Sequence, residues 1–209
     1  VGQASGMWNR QKALEVMETL LVKNPKIDVV WASDDDMALG AEQAIKEAAH
    51  WMSCGTPLVV SVNVSALEFR QPGFVERITA LLTRYGLPAQ QLELELTESV
   101  LLHDAQEMEQ VLASLTRQGL RLSIDDFGTG YSSLAYLKKL AIHRLKIDRT
   151  FICGLPDDEG DSAIVKAVLG MGRALGFSVV AEGVETQEQR LALHTMGCEY
   201  YRVSCARQP

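Results

Sequence analysis

The chain has 209 residues, of which 47% are hydrophobic and 22% charged, a composition typical of one medium globular domain or of one domain with a fragment. Its formal net charge is -7 and it has no lysine or arginine cluster, which argues against duplex nucleic acid as a partner. No apolar run approaches the ~18 residues of a membrane span. The four scattered cysteines form no C-x-x-C pair, so neither zinc nor a disulfide framework is indicated, and reduced thiols in the cytoplasm are expected.

Residues 1–50 are predicted to form one helix-strand-helix unit. Asn9 can cap a first amphipathic helix, residues 27–33 form a strand pattern, and residues 37–49 an alanine-rich helix pattern. A junction to the rest of the chain is predicted at residues 50–57, where a glycine and a proline separate two periodic segments.

From residue 58 onward, short apolar runs alternate with amphipathic helix patterns and glycines, which predicts parallel strands covered by helices. The predicted strands are residues 58–64, 92–97, 120–125, 143–148, 177–182 and 198–203. Three apolar stripes at helical spacing lie between them: Phe74, Ile78, Leu81 and Leu82; Met108, Val111, Leu112 and Leu115; Ile164, Val168, Met171 and Leu175. Helix ends with left-handed backbone are predicted at Gly86, Gly119, Gly176 and Gly197.

With residues 27–33 there are seven strands, whereas a closed barrel of this type has eight. The predicted fold class is therefore α/β, an incomplete TIM-type (β/α) barrel of parallel strands, to which the N-terminal α-β-α unit can add a strand. An unclosed parallel sheet leaves edges and part of an apolar core exposed, so marginal stability or association into a homodimer is expected.

Side chains able to bind a metal or a proton lie at the ends of five predicted strands. In chain order they are Asn63; Glu95; Asp125 and Asp126; Lys146 and Asp148; and Glu182. The carboxyl ends of parallel barrel strands meet at one opening, here called the mouth, where these side chains should converge. One such residue often only caps a helix or closes a turn, but five successive strand ends favour a shared site. Glu93 shares the face of Glu95, so either could instead lie on a solvated outer face.

Carboxylate and amide oxygens are hard ligands, which indicates Mg²⁺ or Mn²⁺ rather than zinc. The neighbouring Asp125 and Asp126 could hold two ions about 3.5–4 Å apart, the spacing used for in-line phosphoester displacement. Lys146 would then orient water or a phosphate oxygen; the alternative is a surface lysine beside Asp148.

The motifs VSVNVS, LELELTES, SIDDFGTGYSSL, LKIDRTFI and VVAEGVET follow one another between about residues 51 and 201. In this order they resemble the successive motifs of EAL domains, the bacterial phosphodiesterases that linearise cyclic di-GMP to pGpG. The resemblance implies a cytoplasmic hydrolase domain over residues 51–209, with cyclic di-GMP as substrate and Mg²⁺ or Mn²⁺ as cofactor.

The same resemblance implies a role for each matching residue. The implied metal ligands are Asn63, Glu95, Asp125 and, at a second metal, Asp126. The implied catalytic residues are Lys146 and Glu182, beside the attacking water and the metals, and Glu98, which braces the DDFGTG turn. Asp148 and Glu185 match further positions at the mouth.

Three features depart from the EAL pattern. The tripeptide Glu-Ala-Leu, whose glutamate completes the ligands of the first metal, occurs nowhere in the chain. Arg202 stands where the family has glutamine. Residues 1–50 instead resemble the C-terminal part of a ribose-type periplasmic sugar-binding protein, with Asp35 at its ligand-binding position. We interpret the chain as a fusion of two truncated parents, in which strand 27–33 could occupy the vacated place and bring Asp34 or Asp35 to the mouth as a substitute ligand.

Two functions remain open on the sequence alone. The first is an EAL-type hydrolase impaired by truncation. The second is a catalytically inactive cyclic di-GMP-binding or dimerisation module, or a fusion without function.

Overall fold

The structure is a computed structural model that describes residues 29–32, 37–55, 58–98, 100, 105–130 and 137–203. Its strands are β1 (Val29–Ala32), β2 (Val59–Val64), β3 (Leu92–Thr97), β4 (Arg121–Phe127), β5 (Arg144–Ile147), β6 (Ser178–Val184) and β7 (Tyr200–Val203). Its helices are α1 (Met37–Ser53), α2 (Ala66–Phe69), α3 (Phe74–Tyr85), α4 (Ala105–Arg117), α5 (Thr150–Cys153), α6 (Glu159–Leu175) and α7 (Gln187–Thr195), with a 3-10 turn at Ala89–Gln91.

The seven strands form one parallel sheet in chain order, from β1 to β7. This order confirms the predicted α/β class and the parallel barrel arrangement, with β1 as the strand contributed by the N-terminal unit. Within the described residues β7 and β1 share no hydrogen-bonded ladder, so the barrel is open there. The left-handed backbone predicted at the four glycines is also confirmed, at Gly86, Gly119, Gly176 and Gly197.

Helix α1 is longer than predicted and packs into the main core. It continues to Ser53, into the predicted junction at residues 50–57, because no glycine or proline occurs between the predicted end at residue 49 and Gly55. Its Ile45 is fully buried in the same apolar cluster as Val60 and Val62 of β2. The Tyr85 hydroxyl on α3 donates a hydrogen bond of 2.6 Å to Glu42 on α1, which also ties these two helices together.

Helix α6 buries a face that overlaps the predicted stripe only in part: Val168 is buried and Met171 packs against the core, but Ile164 is not buried. Val165, Val168, Leu169 and Gly172 are buried, whereas Ile164 is 38% exposed. The reason is Gly172: the position that a Cβ would take there lies 2.3 Å from Val179 Cγ2, so the helix backbone itself packs against β6.

Adding a methyl group at Gly172 should therefore destabilise the protein, although alanine favours helices. We expect Gly172→Ala to cost about 1–3 kcal/mol through overpacking against Val179. Gly170→Ala is the matched control, because no atom lies within 4 Å of its Cβ position, and it should gain up to about 1 kcal/mol. Urea unfolding of the two variants measures the difference; a Gly172→Ala protein as stable as the Gly170→Ala protein would contradict it.

Candidate active site

Lys146 is the centre of a charged cluster at the mouth. It lies on β5 and is only 4% exposed. Its Nζ lies 2.7 Å from Glu95 Oε2, 3.1 Å from Asp125 Oδ2 and 2.9 Å from Glu182 Oε1. Burial alone would lower the pKa of this ammonium, but the three carboxylates raise it above its ordinary value. Lys146 therefore stays charged and draws together side chains from β3, β4 and β6.

Strand register places Asn63, Glu95 and Asp125 on the same face of the sheet. Asn63 on β2 is paired with Glu95 on β3, and Thr97 at the end of β3 is paired with Asp125 on β4. Residues paired in neighbouring parallel strands point to the same face of the sheet. Asn63 and Glu95 therefore point together into the barrel.

A bulge in β6 sets the position of Glu182. The register between β6 and β7 shifts between Ala181 and Val184, and Gly183 lies there with a φ of 74°. A Cβ on Gly183 would lie 2.6 Å from the Cβ of Arg149. Only glycine accepts both this backbone conformation and this close approach, and the bulge re-aims the neighbouring Glu182.

Asp126 and Asp148 form a second acidic group beside the first. Asp126 has a φ of 53°, uncommon for a residue with a side chain. Partial burial, the charge of Asp125 and a hydrogen bond shared with Asp148 raise the pKa of Asp126 to about 6. Burial alone would also raise the pKa of Asp148. The hydrogen bonds that the Thr150 hydroxyl and amide donate to its carboxylate outweigh burial, so the pKa of Asp148 is lowered. The two aspartates therefore differ in proton affinity although they are adjacent.

Glu98 holds the turn that follows β4. The amides of Gly128 and Gly130 each donate a hydrogen bond of 3.1 Å to Glu98 Oε2. Glu98 is 4% exposed, so these are hydrogen bonds to a buried carboxylate. A Cβ on Gly128 would lie 2.8 Å from the ring of Phe151, and one on Gly130 would lie 3.0 Å from Glu98 itself. The turn is thus closely packed next to Asp125 and Asp126.

A second charge pair lies one layer below the Lys146 cluster. Arg144 Nη1 donates to both oxygens of Glu93, at 3.0 and 2.8 Å. Glu93 is 1% and Glu95 3% exposed, so the alternative that one of them is solvated on an outer face is wrong. The inward strand faces carry both glutamates because each has a cation opposite it on β5. Arg144 is not among the site residues predicted from the sequence; its spacing of two from Lys146, which matches the spacing of the two glutamates, is the signal that points to it.

Arg202 is a further cation at this site. Its Nη1 lies 3.4 Å from Glu182 Oε1, the same oxygen that contacts Lys146 Nζ. Arg202 comes from β7, the strand at the open edge of the sheet. Glu182 therefore lies between a cation from the centre of the barrel and one from its edge.

The structure thus brings most of the predicted site residues together. Glu95, Asp125 and Glu182 meet at Lys146, with Asn63 in register beside Glu95. Asp126 and Asp148 adjoin them, and Glu98 supports the neighbouring turn. Glu185 is exposed on the turn into α7, where its amide donates a hydrogen bond to Gln189 Oε1. Asp34 and Asp35 lie outside the described residues.

The donor set fits a hard divalent ion in chemistry, but the side chains are not arranged as a ready-made cage. In the part of the chain that the structure describes, no three His, Cys, Asp or Glu side chains are grouped closely enough to hold a metal. The carboxylates Glu95, Asp125 and Glu182 are instead drawn onto the Lys146 ammonium. An entering ion would have to compete with that ammonium for their oxygens.

The raised pKa of Asp126 predicts that replacing this residue with asparagine changes the thermal stability of the protein by an amount that depends on pH. In the folded protein this carboxyl holds its proton more tightly than the ordinary value of 3.8 implies, so metal-free protein should lose stability as pH rises from 3.8 through about 6. Asp126→Asn removes the repulsion, and asparagine tolerates left-handed backbone well. We expect this variant to have a higher thermal midpoint than the wild type above that range and a similar one below it, measured with a chelator present. An equal gain in thermal midpoint above and below this pH range would contradict the raised pKa of Asp126.

Fold and site together define a parallel α/β-barrel protein with an acidic, lysine-centred cluster at the carboxyl ends of its strands. The model of the EAL domain matches residues 39–202, and the chain therefore belongs to the EAL-domain family. The match begins twelve residues before the predicted boundary at residue 51 and includes α1 from its third residue.

Curated relatives support this membership. The chain is 43% identical over 159 residues to the signaling protein YkoW of Bacillus subtilis, with 76% of this chain and 20% of that protein covered. It is 44% identical over 158 residues to MucR of Pseudomonas aeruginosa, a bifunctional diguanylate cyclase/cyclic di-GMP phosphodiesterase, with 75% and 23% covered. The chain thus spans about a quarter or less of the length of these relatives.

Solved structures show the same similarity. The PaMucR phosphodiesterase in complex with c-di-GMP superposes with a TM-score of 0.76 at 38% identity, covering 91% of this chain and 73% of that one. BlrP1 of Klebsiella pneumoniae, in a calcium and cyclic di-GMP complex, gives a TM-score of 0.71 at 28% identity, with 79% and 42% covered. As for membranes, none of the helices among the described residues is long and apolar enough to span a bilayer.

Proposed function

We propose that the chain is an EAL-type phosphodiesterase domain that hydrolyses cyclic di-GMP to pGpG with Mg²⁺ or Mn²⁺. Relatives named as cyclic di-GMP phosphodiesterases and a related structure in complex with c-di-GMP support this substrate. The observation that carries the proposal is the convergence of Glu95, Asp125 and Glu182 from three strands on the buried Lys146.

Each side chain would have a distinct task. Asn63, Glu95 and Asp125 would hold one ion and Asp126 a second. When bound, such ions activate a water and neutralise charge on the attacking and leaving oxygens of a phosphodiester. Lys146 remains protonated at neutral pH, so it donates hydrogen bonds and positive charge and does not act as a base.

The remaining residues would orient these groups. Glu182 holds Lys146 from the β6 side, and Glu98 fixes the turn that follows Asp125 and Asp126 through the Gly128 and Gly130 amides. Asp148 and Glu185 are proposed as further contacts at the mouth. Cyclic di-GMP carries two phosphodiesters, and the excess of carboxylates here makes neutralising cations a requirement for bringing such an anion close.

The N-terminal strand is proposed to replace the missing Glu-Ala-Leu strand. β1 pairs in parallel with β2, and Ala32 is level with Val62, one residue before Asn63. Asp34 and Asp35 follow two and three residues later in the chain, which makes them candidate substitute ligands. Asp34→Ala combined with Asp35→Ala should weaken Mn²⁺ binding, and unchanged Mn²⁺ affinity would refute this role.

The proposed fusion of two parents is restricted by the packing of α1. Its Ile45 is buried against β2, and the family match begins at residue 39, so any sugar-binding-like fragment would lie mainly before that residue. A cytoplasmic location, where a cyclic dinucleotide signal would be met, and association into a homodimer also remain proposals; sedimentation velocity tests the latter, with a monomer at all concentrations as the contrary result.

The proposal predicts product formation in a direct assay. Purified protein incubated with cyclic di-GMP and Mg²⁺ or Mn²⁺ should yield pGpG on ion-exchange chromatography, and chelator should stop the reaction. A Glu95→Gln protein prepared in the same way controls for contaminating hydrolases.

A binding module without hydrolysis is the second candidate. This function is favoured because Glu95, Asp125 and Glu182 form ion pairs with Lys146, and the described residues contain no cluster of side chains arranged to hold a metal. Isothermal titration of cyclic di-GMP separates the two functions: saturable binding without pGpG supports the module, whereas neither binding nor product would refute both.

A further inference from the structure

Arg202 occupies the side of Glu182 that faces the open edge of the barrel. Its Nη1 approaches Glu182 Oε1 to 3.4 Å, while Lys146 Nζ approaches the same oxygen to 2.9 Å. One carboxylate oxygen is thus shared by two cations from different strands. A divalent ion that used this oxygen would meet positive charge on both sides.

The two cations differ in how firmly they are held. The side chain of Lys146 is 5% exposed and contacts three carboxylates, whereas that of Arg202 is 37% exposed. Partly exposed ion pairs are weak because water competes for both partners, while buried pairs are costly to break. An ion entering at Glu182 would therefore displace Arg202 before it displaced Lys146.

We propose that Arg202 is a displaceable internal cation at Glu182 that lowers the affinity of this site for divalent ions. The inference rests on the proposed function, because it concerns the same site. The guanidinium cannot lose its proton at physiological pH, so it opposes an incoming ion through charge at every pH at which the protein is folded. Ion binding and the release of the Arg202 side chain from Glu182 are then linked events, and each opposes the other.

The size of the effect follows from charge and distance. Two positive charges within a few ångströms of the same carboxylate oxygen repel each other, but a partly exposed arginine relieves much of this repulsion by turning into water. We therefore expect removal of the charge to lower the Kd for Mn²⁺ about tenfold.

The test is a titration of the whole chain with Mn²⁺, in which electron paramagnetic resonance reports free Mn²⁺. Arg202→Gln should bind Mn²⁺ about tenfold more tightly than the wild type. Arg202→Met, which keeps an apolar stem, should give the same shift. Arg117→Gln makes the same change in net charge at an exposed position at the end of α4 and should leave the Kd unchanged.

A double-mutant cycle locates the effect. In a Glu182→Gln background, Arg202→Gln should change the Kd less than it does in the wild-type background, because the competition for Glu182 Oε1 is gone and only the repulsion between the guanidinium and the ion is left. If the wild type binds Mn²⁺ saturably and both Arg202 variants have the same Kd as the wild type, the inference is overturned while the proposed function stands. If wild type and variants all unfold cooperatively yet none binds Mn²⁺ saturably, both the inference and the proposed metal-dependent function fall.

Discussion

Replacing Lys146 with methionine is expected to lower the free energy of unfolding by about 3–5 kcal/mol in metal-free buffer. The ammonium lies within 3.1 Å of carboxylate oxygens of Glu95, Asp125 and Glu182, in a position that is almost closed to water. Without it, three carboxylates from three strands face one another with little screening. An open barrel would then carry repulsion at the place where its strands converge.

Urea unfolding in the presence of chelator measures this loss. Lys166→Met is the matched control, since Lys166 is exposed on α6, and its effect should stay within about 0.5 kcal/mol. Mn²⁺ should raise the thermal midpoint of Lys146→Met more than that of the wild type, because an ion can supply the missing positive charge. If the variant matched the wild type in chelator, Lys146 would not be what holds the carboxylates together.

The strands could be predicted from the sequence because each is an apolar run between turn signals. β3 spans the predicted residues, β2 begins one residue later than predicted, and β5 is one residue shorter than predicted at each end. β4 and β6 each continue two residues further than predicted, to Phe127 and Val184. The extra residues include Asp126 and Gly183, both with positive φ at a register shift. A prediction that ends a strand near its last polar residue cannot anticipate such a bulge.

The convergence of the site could also be predicted, but its organisation could not. Parallel strands bring their carboxyl ends together whatever the side chains, so a shared mouth followed from the alternation of strands and helices. That three carboxylates close on one ammonium depends on side-chain length and on register across β4. Neither is visible in spacing along the chain.

The buried face of α6 shows a similar limit. A hydrophobic stripe containing Ile164 and Met171 and one containing Val165 and Leu169 both follow helical spacing. The structure uses the second, because Gly172 on that face lets the helix approach Val179 closely. Apolar periodicity alone cannot identify the face on which a helix packs by its backbone.

Neutralising Glu95 should affect catalysis and metal binding far more than neutralising Glu93, two residues earlier on the same strand and face. We expect Glu95→Gln to lower both the rate of cyclic di-GMP hydrolysis and Mn²⁺ affinity by at least about 100-fold, because a charged oxygen ligand is lost. Glu93→Gln should leave both within about threefold, since Glu93 contacts Arg144 one layer below the mouth.

The pair is well matched because the two glutamates lie on the same strand and face and are buried to nearly the same extent. They are 1% and 3% exposed, and each has a cation of β5 opposite it. Both substitutions should therefore destabilise the protein by a similar amount, about 1–3 kcal/mol, through a weakened buried ion pair. Stability measured by urea unfolding would then be alike while Mn²⁺ titration and pGpG formation differ, and this contrast separates a ligand from a structural carboxylate. Equal loss of Mn²⁺ binding in both variants would mean that alignment of β3 with β5, rather than the oxygens of Glu95, limits the site.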